Sequence, residues 1–438
     1  MHDRRGDEVD AEAAATAHDA AGTHDAATRP GRTALVLAGG GVRGAYEVGV
    51  LCALVEILGL RAEDPPPFRL YCGASVGAIN AAFLAANGHR GDLNVAELER
   101  IWRGLEIGHH LRFDMFGMAP SVERVSRRLR HWWQGKILHK PPPHLGRSLL
   151  DPRPLEDIVQ NHIPWHQLHG NIDNGQLDGL VIPALDVATG RTHMFAELAP
   201  QVRFRPSRDP RRVGVPTRIT AEHVLGSAAI PVLFPARRIG DNYFYDGGLR
   251  FNTPIAPAIR SGAERLLVIS PLTLNPAPSP PIEVDADEYP NLFFLAGKLL
   301  NGLLADPLAY DLQVLKRFNA LLGVLEEVLS PEEWQRVREV LVEARGIPYR
   351  RLETLSIMPS ADIGELAGRH VQNNMGRWSL GPLSRWALQR SLRGGNDSLE
   401  ADWASYILFD GALAGELIDL GRRDATARKA EIEAFFVR

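Results

Sequence analysis

Two short apolar runs near the start of the chain stop at glycine and give way to a helical pattern. In TALVLAGGGVRG (33–44) a β-prone run from Thr33 to Ala38 ends at three consecutive glycines and Arg43, as expected of a strand buried on both faces of a parallel sheet. From Arg43 the apolar period becomes helical, with Tyr46, Val50, Leu51, Leu54 and Leu58 on one stripe and Glu47 and Glu56 elsewhere on the wheel. Three prolines at 65–67 force an extended loop, after which Phe68 to Cys72 is the next predicted strand. That strand ends at Gly73-Ala74-Ser75-Val76-Gly77, and VGAINAAFLAANG continues as a helix of small residues with Gly88 as its expected C-cap. Two strand-turn-helix units in succession predict right-handed crossovers and a mostly parallel sheet.

The pattern is looser between 94 and 145. Within it SVERVSRRLRHWW (121–133) places Val122, Val125, Leu129 and Trp132 on one stripe with Arg124, Arg127 and Arg128 off it. It reads as a surface helix packed on the domain, with contact to a membrane surface as the alternative. Asp151 and Pro152 predict a helix start. Residues 179–187 and 191–196 form two predicted strands about an Ala-Thr-Gly turn, and RFRPSRDPRR (203–212) reads as a solvated loop or, alternatively, an anionic-ligand patch. Thr220 is expected to cap a helix running to Ala229, PVLFPARRIGDNYFYDGG to form short strands about Asp241-Asn242, Pro254 to open a helix, and Arg265 to Ser270 to be another buried strand. Five prolines between 271 and 281 mark the expected end of the core.

Residues 1–31 hold almost no large apolar side chain and are expected to be a disordered tail. The domain is expected to span 32–275, followed by a helical C-terminal extension over 276–438 that would act as a lid, dimerise or dock on the sheet. Composition narrows the class of protein. With 438 residues, 45% hydrophobic, the chain can bury a large α/β core, and a net charge of −4 does not suggest a nucleic-acid partner. Cys52 and Cys72 sit among apolar residues and lack disulfide or metal spacing. The most apolar stretch, LFFLAGKLLNGLLA (292–305), falls short of the ~18 residues a bilayer span requires and contains Lys298 and Asn301. With no h-region of a signal peptide, a cytoplasmic location is expected, with peripheral contact at a membrane surface as an extension of it.

Ser75 lies in G-x-S-x-G spacing between a predicted strand and a predicted helix, the context in which such a turn exposes a nucleophilic hydroxyl. The glycines at 39, 41 and 44 also satisfy G-x-G-x-x-G, a dinucleotide fingerprint, but the second strand ends at Gly73-Ala74-Ser75 rather than at the acidic residue a ribose would need. Beside Ser75 the loop reads better as an oxyanion hole. Asp246, in the DGG turn after YFY, is a candidate base; an isolated Asp-Gly is more often only a turn.

GGGVRG at 39–44, GASVG at 73–77 and DGG at 246–248, in this order, resemble the three signatures of patatin-like phospholipases, and SAAIPVLFP at 227–235 is similar to the segment before the family's aspartate. The resemblance covers roughly residues 33 to 275. It implies a three-layer α/β/α fold with a mostly parallel central sheet and a Ser-Asp dyad without histidine. Carried over, Ser75 is the nucleophile, Asp246 the base, and Gly39, Gly40, Gly41, Val42 and Arg43 the oxyanion-hole loop, with N–H groups offered by Gly40, Gly41 and Val42. Gly73 and Gly77 shape the nucleophile turn and Gly247 and Gly248 the base turn; Arg43 orients the loop or, alternatively, meets a phosphate head group. His193 and His223 are expected to be structural. The resemblance implies no metal and no cofactor, and an acyl lipid or phospholipid as substrate. The competing expectations are a carboxylesterase or thioesterase for soluble substrates and a non-catalytic lipid-binding regulatory protein. No oligomeric state is legible.

Overall fold

The computed structural model describes residues 32–106, 150–231, 233–272, 312–345, 351–378 and 404–437. The expectations for the tail at 1–31, the basic segment at 121–133 and the apolar stretch at 292–305 lie outside the described residues. β1 (Thr33–Leu37) leads through a 3-10 turn, Gly41–Arg43, into α1 (Gly44–Leu58), and β2 (Leu70–Gly73) into α2 (Val76–Ala86). α3 (Val95–Arg103), α4 (Arg153–Asn161) and α5 (Trp165–Asp173) precede β3 (Gly179–Asp186), β4 (Thr192–Leu198) and β5 (Arg212–Pro216). Next come α6 (Ala221–Ser227), β6 (Arg237–Ile239), β7 (Asn242–Asp246), α7 (Gly248–Phe251), α8 (Ile255–Arg260) and β8 (Arg265–Ile269). α9 (Pro331–Arg345), β9 (Glu353–Ile357), α10 (Ile363–Asn374), α11 (Ala404–Ile407), α12 (Gly411–Ala427) and α13 (Lys429–Val437) follow.

The sheet runs in the order β5-β4-β3-β2-β1-β8-β9, with β7 on β3 and β6 on β7. β9, β8, β1, β2 and β3 are mutually parallel, β4 runs antiparallel to β3, and β5 parallel to β4. The unbroken apolar run of β1 follows from this central position. Leu35 and Leu37 enter one core with α1 and α2, while Ala34 and Val36 enter a second with Ile255 and Ala258 of α8, as the two-residue period of a strand requires. The result is a three-layer α/β/α arrangement around a mostly parallel sheet.

Several elements differ from expectation. α2 ends at Ala86, and the C-cap is Asn87, whose Nδ2 donates to the Phe83 carbonyl at 2.9 Å; Gly88 lies beyond it. Every residue of α1 from Gly44 to Leu54 is buried, Glu47 included, so the helix does not present a polar face there. The reason is α12. A Cβ at Gly49 would collide with the Ile418 carbonyl, and one at Gly421 with the Tyr46 carbonyl, so the two backbones approach more closely than side chains would permit. The Tyr46 hydroxyl donates to Asp424 on α12 at 3.0 Å. β9 adds a parallel edge to β8, pairing Arg265 through Ile269 with Glu353 through Ile357. The sheet and the cores on both of its faces therefore continue past residue 275. Among the described residues no helix is long and apolar enough to cross a membrane.

Candidate active site

The β2–α2 turn is built by close backbone approach. A Cβ at Gly73 would meet the carbonyl of Gly77, and a Cβ at Gly77 would lie 2.5 Å from the carbonyl oxygen of Leu37. Between them Ser75 adopts φ 53° and ψ −126°, a conformation that costs a non-glycine residue about 1–3 kcal/mol and persists only where its surroundings enforce it. Part of that enforcement is Ser227, whose Oγ accepts the Ser75 N–H at 3.1 Å. Ser75 also stands at the start of α2, where the helix presents its positive end.

Asp246 closes β7. Its Oδ2 accepts the Ser75 hydroxyl at 2.6 Å and its Oδ1 accepts the Gly248 N–H at 2.7 Å. Its own N–H donates to the Ala229 carbonyl at 2.9 Å. Gly247 is needed because a Cβ there would strike the Pro183 carbonyl of β3. Ser75 is 4% exposed and Asp246 1%. Burial pushes the Asp246 carboxyl up to about 7, against the two hydrogen bonds that favour its ionised form. A carboxylate tuned to that range is a competent general base near neutral pH.

The glycine loop rests on the same turn. A Cβ at Gly39 would lie 2.9 Å from the Ser75 Cβ, so only glycine lets the loop approach Ser75 this closely. The Gly39 N–H donates to the Asn252 carbonyl at 3.0 Å, and Asn252 Nδ2 donates back to the Gly39 carbonyl at 3.3 Å. In the 3-10 turn that follows, the first bonded amide is that of Arg43, on the Gly40 carbonyl at 3.2 Å. Of the five residues expected to form the oxyanion hole, Gly39 and Arg43 thus direct their N–H groups elsewhere. Gly40, Gly41 and Val42 precede the first bonded amide, in the position where helix-start donors lack an internal acceptor. Gly41 has φ +60°. Arg43 is buried, with Nε donating to Ser405 Oγ at 2.7 Å and its guanidinium 4.1 Å from the centre of the Tyr406 ring.

Neither His193 nor His223 bonds Ser75 or Asp246; their partners lie elsewhere. His223 Nδ1 accepts the Thr220 N–H at 3.1 Å at the start of α6, and burial lowers its pKa to about 4. His193 stacks edge-on against Phe244, and burial lowers its pKa too, against the opposing effect of Asp186. In the basic run at 203–212, Asp209 pairs with both Arg211 and Arg212. Among the described residues no group of three or more His, Cys, Asp or Glu converges in a metal-holding arrangement.

Ser227 and Asn252 were not identifiable as site residues from sequence alone. Ser227 lies in SAAIPVLFP, a stretch notable only for its similarity to a family segment, and Asn252 follows the base turn without a motif of its own. An apolar cleft begins one residue beyond Ser75: Val76 lines it together with Ile79 and Phe83 of α2, Trp102 of α3 and Ile158 of α4.

Residues 35–259 match the family model described as patatin-like phospholipase. A curated relative, the cGAMP-activated phospholipase of Pseudomonas aeruginosa, is 28% identical over 221 residues, which are 50% of this chain and 53% of the relative. The chain therefore spans about half the length of that relative. Among solved structures, VipD from Legionella pneumophila aligns with a TM-score of 0.31 at 13% identity, covering 90% of this chain and 67% of that one. Human GIVD cytosolic phospholipase A2 with methyl gamma-linolenyl fluorophosphonate aligns with a TM-score of 0.36 at 11% identity, covering 93% and 60%. The family model spans more than half of the chain and contains the glycine loop, the Ser75 turn and the Asp246 turn, and the chain belongs to the patatin-like phospholipase family.

Proposed function

We propose that the chain is a serine lipid acyl hydrolase that cleaves acyl esters of phospholipids or related lipids. The observation that carries this reading is the 2.6 Å hydrogen bond from Ser75 Oγ to Asp246 Oδ2 at the end of the sheet. Asp246 takes the hydroxyl proton as Ser75 Oγ attacks the ester carbonyl, and the oxyanion that forms is held by the N–H groups of Gly40, Gly41 and Val42. Collapse of the tetrahedral intermediate expels the alcohol, which takes the proton back from Asp246, and leaves an acyl ester on Ser75. Water, deprotonated by the same carboxylate, then releases the fatty acid and restores the serine. The apolar cleft beginning at Val76 supports an alkyl chain rather than a soluble polar acyl group.

The test is hydrolysis of a short p-nitrophenyl ester, phospholipid vesicles and neutral glycerides by the wild type, Ser75→Ala and Asp246→Asn. Each assay is run with and without cGAMP, because the P. aeruginosa relative is described as activated by it. Turnover of vesicles by the wild type alone supports the proposal. Activity that survives in either variant refutes the dyad, and turnover of the soluble ester without any on lipids moves the reading to a general carboxylesterase.

A further inference from the structure

The oxyanion loop is held from behind by a segment more than 360 positions further along the chain. Ser405 and Tyr406 lie in α11, which is fully buried. A Cβ at Gly41 would collide with the Tyr406 carbonyl, so the loop at its positive-φ residue lies directly against the α11 backbone. Arg43 closes the same contact from its other end, with Nε on Ser405 Oγ at 2.7 Å and the guanidinium over the Tyr406 ring at 4.1 Å. A planar guanidinium can make both contacts at once; an ammonium cannot. The segment is itself fastened just beyond α11. The Gly411 N–H donates to the Leu105 carbonyl at 2.8 Å, and Asp410, which caps α12, bonds His370 Nε2 at 2.8 Å.

We infer that Ser405 and Tyr406 are positioning residues for catalysis: through Arg43 and Gly41 they fix the loop whose amides receive the oxyanion. This rests on the hydrolase reading above for its kinetic consequence, though not for its structural one. The physical argument is that an oxyanion hole stabilises charge only if its donors are already oriented when charge develops. A loop of three glycines cannot orient itself, because glycine restricts its own backbone least. The restraint must come from what the loop touches, and on this side it touches α11. Residues 404–407 also lie outside the part of the chain that matches the family model, so the restraint is built from this chain's own C-terminal region.

The experiment uses the full chain with Ser405→Ala, Tyr406→Leu, Tyr406→Phe and Arg43→Lys, and Asp424→Asn as a control that weakens the Tyr46 bond elsewhere on the α1–α12 contact by removing the acceptor's charge. Two quantities are read: kcat and KM on a short p-nitrophenyl ester, and hydrogen exchange of the amides at 39–44 without substrate. The expected result is a kcat lowered about 10- to 100-fold in Arg43→Lys and Tyr406→Leu, with KM within about twofold, since a misplaced donor acts on the transition state. Amide exchange at 39–44 rises in the same two variants. Tyr406→Phe, which keeps the ring over Arg43, loses less kcat than Tyr406→Leu. Asp424→Asn lowers thermal stability without changing kcat. Unchanged exchange at 39–44 in Tyr406→Leu and Arg43→Lys overturns the inference, as does a kcat loss in Asp424→Asn equal to theirs. If the wild type hydrolyses no ester, the hydrolase reading fails, while exchange at 39–44 still decides whether α11 holds the loop. Should Tyr406→Leu not fold, Ser405→Ala, which removes a single oxygen, carries the same two readouts, with a smaller rise in exchange expected and no rise refuting the claim.

Discussion

Ser75 and Asp246 are joined by a 2.6 Å hydrogen bond although β2, which leads into Ser75, and β7, which ends at Asp246, never pair with each other. Both strands use one edge of β3. Its first residues, Gly179 to Val181, pair with Leu70 to Cys72 of β2, and its last, Ala184 to Asp186, pair antiparallel with Asp246 to Phe244 of β7. β2 and β7 therefore approach each other end-on along β3, and the candidate site lies at the gap between them. Successive residues of a strand face opposite ways, so a slip of β7 by one residue would turn Asp246 away from Ser75. The Gly247 contact with the Pro183 carbonyl helps hold that register.

The first prediction concerns activity against pH. If Asp246 must be ionised to act as base, and burial raises its pKa to about 7, kcat/KM should rise with pH through about 7 and then level off. Ser75→Ala and Asp246→Asn should each lose about 1,000-fold or more in kcat. A pH-rate profile on a soluble ester checks the first expectation. A profile already flat from about pH 5 would show that no such base limits the reaction.

The same carboxylate should lower the stability of the fold. Its folded pKa, about 7, lies above the ordinary value of 3.8. The native state therefore holds the proton more tightly than the unfolded chain, and the associated stability is present below the ordinary value and lost as pH rises through about 7. Asp246→Asn removes this dependence. The variant should gain on the wild type by up to about 1.4 kcal/mol per pH unit across that window, with the difference constant above it. Urea midpoints measured at several pH values decide the matter, and a difference independent of pH counts against the assignment.

How far the sequence discloses the protein depends on the range of the interactions involved. The β1–α1 and β2–α2 units are legible because strand, turn and helix are contiguous and each glycine answers a local backbone approach, as at Gly73 and Gly77. The Ser227 bond to the Ser75 N–H and the Asn252 bond to Gly39 are not legible, since both join residues more than 150 positions apart. Glu47 shows the same limit. On a helical wheel it falls off the apolar stripe, but α2 covers that side of α1, and the carboxyl group is buried with Asn80 Nδ2 donating to it at 2.8 Å. β9 escapes notice because ETLSI is short and half polar, as suits an edge strand; only its pairing with β8 identifies it.

The α1–α12 contact should tolerate almost no added volume. Gly49 and Gly421 each face the other helix's backbone rather than a side-chain tip that can move aside. Gly421→Ala should therefore destabilise by about 1–3 kcal/mol, despite the higher helix propensity of alanine. Gly59→Ala is no suitable comparison, because that residue has φ +63°; Gly170→Ala, on α5 with open space around it, is, and should be neutral or slightly stabilising. Thermal unfolding of the two variants side by side tests this, and equal midpoints would refute the close approach.

The final prediction concerns the ion pair that fastens the segment behind the glycine loop at 39–41. His370 bonds Asp410 through Nε2 at 2.8 Å and Glu416 through Nδ1 at 2.7 Å, with Asn374 and the Trp378 ring beside it. Burial alone would lower its pKa, but the two carboxylates outweigh that effect and the net shift is upward from 6.5. A histidine whose folded pKa is raised contributes stability that is complete below the ordinary value and lost as pH climbs through the folded one. The wild type should accordingly exceed His370→Gln in melting temperature most at about pH 6, with the margin shrinking as the pH is raised above neutrality. Asp410→Asn removes one of the two negative charges beside His370 and should show a smaller margin over the same range. Melting curves of the three proteins at a series of pH values provide the check, and a margin that widens with rising pH would mean that His370 is held neutral between its two carboxylates.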